Sequence, residues 1–306
     1  MTAQDEATAV RSSSPGVVLA AASVVWMAGL LWSARTAITR GGDPAMEVTA
    51  TAYALPGAIS ASLVAGAAVA LAVLAAVGRG GRTIGSMLRF AVTTGSGLVL
   101  GLLGGASIIT INTDGWVYAV VAGTIAAAAT IGGAFGGFRI PRVVAAACWA
   151  AIAVFAVGFV LNVVQTPLLN LFGSGDTPAS QAAAARWFSL TQAVVSGIAA
   201  GVVAYLSLRR ARRRADGADV RWPLYALAGA GPGLLLLLAE GLTRTAGSRV
   251  VALAGRVSEL ELTVQRMLSG SRFNSALVVL FAGAITAILA VGRTLGPPAE
   301  DGDQVS

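Results

Sequence analysis

Glu240 and Arg244 lie four residues apart at the end of an apolar stretch, and Glu240 is the only carboxylate in any of the apolar stretches of this chain. A charged side chain in hydrocarbon is costly, so an acid there marks a proton or substrate site or else an ion pair. Acid before base at i, i+4 is the favourable order on a helix face, and an interfacial Glu240–Arg244 pair is the expected arrangement. In the same stretch Gly229, Gly231, Pro232 and Gly233 crowd together. Pro232 removes a backbone donor, and a break here would resemble the discontinuous helices that build transport sites. Asn162, Gln165 and Gln192 fall near the ends of two other apolar stretches. They are expected to hydrogen-bond between helices, with a polar pocket as the alternative.

Much other chemistry is excluded. The chain has no histidine, so His-based acid–base catalysis and His metal sites are absent. A single Cys148 allows neither a thiolate cluster nor a CxxC pair, and it is expected to pack as a small hydrophobe. The Gly78-Arg79-Gly80-Gly81-Arg82 run lacks the Gly-Lys-Ser/Thr ending of a phosphate loop. No catalytic residue, cofactor or metal is expected. Enzyme chemistry would need Asp43, Glu47 and Asp176 to converge from separate outer loops. Asp114, in Asn112-Thr113-Asp114-Gly115, is turn chemistry.

The elements that must position these residues are membrane helices. The hydrophobic set is 56% and charged residues only 11%, against about 25% charged in soluble domains. Eight stretches, 16–33, 53–77, 90–111, 116–138, 143–164, 187–208, 223–242 and 274–292, each suffice to cross a hydrocarbon core of roughly 30 Å. They lack the period-two alternation of a β-barrel, and only helices then satisfy the backbone in lipid. The fold class is therefore an all-α, polytopic helix bundle of about eight spans. An additional amphipathic helix is expected between the seventh and eighth. The leader before the first span holds Asp5, Glu6 and only Arg11, which suits a signal anchor rather than a cleaved signal.

Domain organisation follows: a tail over 1–15, seven spans over 16–243, an amphipathic segment over 244–273, the eighth span over 274–293, and a disordered acidic tail over 294–306. In the amphipathic segment Val250, Leu253, Val257, Leu260, Val264 and Met267 form one helical stripe. Ser248 is the expected N-cap and Gly270 the expected stop. This segment suits a partner protein, self-association or the membrane surface. The glycine-broken seventh span is expected either to cross or to dip and return.

All 21 basic residues are Arg, a composition that resembles membrane proteins of high-GC bacteria. Connections after the second, fourth and sixth spans hold three, two and six arginines, against two, none and one after the first, third and fifth. Retention of positive charge places both termini in the cytoplasm of a bacterial plasma membrane. Arg244, Arg249, Arg256, Arg266 and Arg272 then lie outside, in discord with that rule. Arg209, Arg210, Arg212, Arg213 and Arg214 are expected among anionic headgroups, each worth roughly 1 kcal/mol. No nucleic-acid partner is expected. Gly97, Gly101 and Gly105, Gly132 with Gly136, Gly133 with Gly137, and Gly197 with Gly201 recur every four residues for close helix contact. Similar connection lengths hint at two four-span halves in parallel orientation. The expected function is a non-catalytic accessory, assembly or scaffold component of the cell envelope, the alternative a permease for a neutral or lipidic substrate.

Overall fold

The computed structural model describes residues 15–40, 44–79, 85–111, 116–214, 221–257 and 259–293. Its elements, in order, are α1 (Pro15–Thr39), α2 (Pro44–Gly78), α3 (Ser86–Ile109), α4 (Trp116–Gly136), α5 (Pro141–Val163), α6 (Gln165–Leu171), α7 (Pro178–Arg214), α8 (Trp222–Thr245), α9 (Ser248–Val257) and α10 (Glu259–Gly292). Eight of them, all but α6 and α9, are long and apolar enough to span a bilayer. The chain is thus an all-α, polytopic helix bundle, and the short amphipathic α9 separates its last two spans. The N- and C-terminal tails, Asp43, the 112–115 turn with Asp114, and Ser258 lie outside the described residues.

Proline sets many of the starts. α1, α2, α5 and α7 begin on Pro15, Pro44, Pro141 and Pro178, and α8 carries Pro223 in its first turn. At a helix start the missing N–H costs nothing and the fixed φ is already helical. α7 is also capped, because Thr177 Oγ1 accepts from the Ser180 N–H at 3.2 Å.

Several boundaries differ from the sequence expectation. The second and sixth spans are 35- and 37-residue helices, α2 and α7, so most of the expected outer loops 34–52 and 165–186 is helix. At 1.5 Å per residue each is about 50 Å long and overreaches the hydrocarbon core. Glu47 in the first turn suits the helix dipole, and Tyr118 Oη donates to its Oε2 at 3.0 Å. The seventh span neither breaks nor dips: α8 runs unbroken through Pro232, which is fully buried. Gly231 and Gly233 beside it admit Ala147 and Leu280 at distances that would exclude a Cβ, so packing holds the helix straight through the missing bond.

The 245–270 segment divides. α9 ends at Val257, and α10 passes through Gly270 into the eighth span without stopping. Ser248 Oγ donates to the Thr245 carbonyl at 2.7 Å rather than capping an N–H. The apolar stripe divides too: Val250 is buried against the bundle, whereas Leu260 and Met267 are 73% and 70% exposed. Gln265, off the stripe, is buried and donates to Glu261 at 3.0 Å. Helices in lipid gain nothing by hiding leucine, and the first turns of α10 put Gln265 inward and leave Leu260 and Met267 outward.

Two cores result. One joins α1–α4 with Ala239 of α8 and Val250 of α9, and the other joins α5, α7, α8 and α10. Leu19, Val64, Ala67, Ala68, Leu71, Cys148 and Ala151 form the seam between them. The halves pack alike, since the last helix of each, α4 or α10, lies against that half's second and third. Glycine makes those crossings close. A Cβ on Gly133 would sit 3.0 Å from Gly97 Cα, and one on Gly201 would sit 2.6 Å from the Gly283 carbonyl oxygen.

Candidate functional site

Five helices leave a cavity of about 530 Å³ at one end of the bundle. α8 contributes Leu236, Ala239 and Glu240; α10 contributes Ser271, Arg272, Ser275, Ala276 and Val279. The end of α5 supplies Phe155, Gly158, Phe159 and Asn162, α7 supplies Ser189, Gln192 and Ser196, and α2 supplies Pro56 and Ser60. That volume lies in the range of small-molecule sites, roughly 300–1,000 Å³. Phe155 is braced from behind by Trp26 of α1, with ring centroids 3.8 Å apart.

Glu240 is the organising group. Its side chain is 3% exposed, and both of its oxygens are engaged. Oε1 accepts from Arg244 Nε at 2.9 Å and from the Ser269 hydroxyl; Oε2 accepts from Arg272 Nε at 3.0 Å. Arg244 also donates from Nη2 to the Ser269 carbonyl at 3.2 Å, and its guanidinium lies 5.4 Å from the centre of the Phe273 ring. One carboxylate thus ties the end of α8 to α10 and neutralises one of two guanidiniums.

The other polar groups of the lining are neutral. Ser189 and Ser271 hydroxyls stand 3.4 Å apart across the α7–α10 gap, and Gln192 Nε2 reaches the Gly158 carbonyl at 3.5 Å. Of the residues singled out in sequence, Glu240, Asn162 and Gln192 therefore meet at one cavity, with Arg244 on its far side. Gln165 begins α6 and is not among the lining residues. Pro232 borders a gap of about 10 Å³ that shares Ser60, Val154, Phe155 and Leu236 with the cavity.

Sequence reasoning missed Arg272, Ser269 and the serines. Their signal was present as a polar stripe, Gln265, Ser269 and Arg272 in steps of four and three. The apolar stripe on the same segment masks it, although Leu260 and Met267 of that stripe face outward.

The arginine cluster occupies the opposite end. Arg209, Arg210, Arg212 and Arg213 are exposed in the last turns of α7, where basic charge also suits the helix dipole. Arg209 lies over the Tyr205 ring at 5.8 Å. The Arg214 side chain is outside the description. From Gln192 to Arg209 the helix rises about 25 Å, most of a hydrocarbon core. Asp176 is exposed in the connection before α7, and Glu47 is held by Tyr118. Compared with known protein families, curated proteins and solved structures, the chain matches none of them.

Proposed function

We propose that this chain is a non-catalytic, multi-pass protein of a bacterial plasma membrane that binds an amphipathic or lipidic molecule and moves it as a permease. The cavity carries this reading. It joins aromatic and aliphatic walls to hydroxyls, amides and an ion pair, a lining suited to a molecule with one greasy and one polar end. The groups are binding groups: Glu240 has both oxygens committed, which leaves no free base. Two helix groups that meet along a seam suit the two-body motion of alternating access.

Filling the cavity tests it. Ser275→Trp is expected to lower binding of a fluorescent phospholipid analogue by the purified protein about tenfold, near 1.4 kcal/mol. It should also slow movement of that analogue between the leaflets of proteoliposomes. Unchanged binding and flux in a folded variant would remove the reading.

A second reading, an accessory or assembly component of the envelope, draws on α10. The exposed Leu260 and Met267 offer a partner or a second copy an apolar face, as they offer one to lipid.

Orientation belongs to the same proposal. With both termini cytoplasmic, Arg209, Arg210, Arg212 and Arg213 rest among anionic headgroups of the inner leaflet and the cavity opens outward. In a Cys148→Ala background, Arg210→Cys is expected to react with a membrane-impermeant maleimide only after the cells are opened, and Ser271→Cys before. The reverse pattern would turn the molecule over.

A further inference from the structure

The three charges of this cluster do not balance: Glu240 stands between Arg244 and Arg272, and the sum is positive. Among the described residues, Glu240 and Arg272 are the charged ones that line the cavity. Arg244 does not line the cavity, and it turns Nε and Nη2 toward Glu240 and both polar groups of Ser269. Arg272 is different. It is 32% exposed, it lines the cavity, and among the described residues it is bonded through Nε to Glu240. Its two Nη groups are the remaining edge of a planar fork, the geometry that takes a phosphate or carboxylate with two parallel bonds.

Neutral donors line the same cavity. Ser271 and Ser189 hydroxyls stand 3.4 Å apart, and Ser275 lies one turn further along α10. Behind them Phe155, Phe159, Leu236 and Val279 continue as an apolar wall. Phe159 and Asn162 line the cavity and are exposed as well, so the space reaches the molecular surface along α5.

Resting on the binding function proposed above, we infer that the ligand is an anionic amphiphile of single charge, its head on Arg272 and the serines and its tail along α5. One unneutralised guanidinium matches one negative charge. A zwitterionic head would bring a cation toward Arg272 and Arg244, and a doubly charged head would exceed what the site can offset.

Lipid competition on the full-length protein in detergent tests this, with bound phosphatidylglycerol and phosphatidylcholine counted by native mass spectrometry. The wild type is expected to hold phosphatidylglycerol about tenfold more tightly, and Arg272→Gln to reduce that preference to about twofold or less. Arg272→Lys keeps the charge and should keep most of the preference. Ser271→Glu adds an acid at the mouth without touching the Glu240–Arg272 pair, and should abolish the preference in a protein whose fold is intact. Lipids on the Arg209–Arg213 face contribute equally to every variant and cancel. Displacement by millimolar dimethyl phosphate, a singly charged diester, would assign recognition to the anion itself; displacement by dihexyl phosphate alone would assign it to the whole amphiphile. Equal retention of both lipids by the wild type, or a preference surviving Arg272→Gln and Ser271→Glu, overturns the inference and leaves the cavity reading standing. Retention of neither lipid overturns both.

Discussion

Glu240→Gln is expected to destabilise the protein by about 2–4 kcal/mol, read as the shift in a reversible denaturant titration in detergent. The cause is electrostatic. Glu240 is nearly inaccessible and accepts from Arg244, Arg272 and Ser269 together. A glutamine of the same shape removes the charge that holds two guanidiniums close, and it turns an N–H donor toward one of them. Loss of one member of a buried pair costs about 3–5 kcal/mol, and half exposure of Arg244 brings the figure down. Pairing the change with Arg272→Gln should return part of the loss, because the second substitution removes a charge that the first has stranded. A positive coupling of about 1–2 kcal/mol in that double-mutant cycle is the signature of the pair. Additive losses would mean that the carboxylate acts through packing alone. Glu47→Gln is the comparison: Glu47 accepts from the neutral Tyr118 hydroxyl, and its loss should be smaller.

The sequence made the eight spans plain because lipid imposes a compositional rule that few residues can break. Charge falls away over each crossing, and Pro15, Pro44, Pro141 and Pro178 mark starts that no partner helix needed to specify. The overreach of α2, α7 and α10 was less visible. Glu47, Arg186 and Glu261 lie in polar ends that hydropathy assigns to loops, yet those ends are helical. α8 misled in the other direction. Gly231-Pro232-Gly233 is a helix breaker in water, whereas here close contacts with Ala147 and Leu280 support it. Glu240 and Arg244 were legible because four residues separate them. Arg272, 32 positions from Glu240, depends on how α10 is rotated about its own axis, and that rotation was set by a polar face that soluble-protein intuition points outward.

The second large effect concerns the helix crossings, and it separates glycines that look identical in sequence. A Cβ on Gly132 would run into the Leu63 carbonyl of α2, a backbone atom that cannot swing away. Gly132→Ala is therefore expected to cost about 1–3 kcal/mol, and Gly132→Leu to prevent recovery of monodisperse protein. Gly123, nine residues earlier on the same helix, has nothing within 4 Å of the added atom. Gly123→Ala should be neutral or stabilise by up to about 1 kcal/mol, since it removes backbone freedom from the unfolded chain. Similar losses at both sites would mean that helix flexibility, rather than contact, is what these glycines supply. The same comparison reaches the other half, where a Cβ on Gly283 of α10 would meet the Gly229 carbonyl of α8. If the halves are built alike, Gly283→Ala should cost about as much as Gly132→Ala. The double substitution should then come close to the sum of the two, because the crossings belong to different cores and share no partner. A marked excess over that sum would instead mean that the Leu19–Ala151 seam transmits strain from one half to the other, the mechanical link that a two-body permease would use.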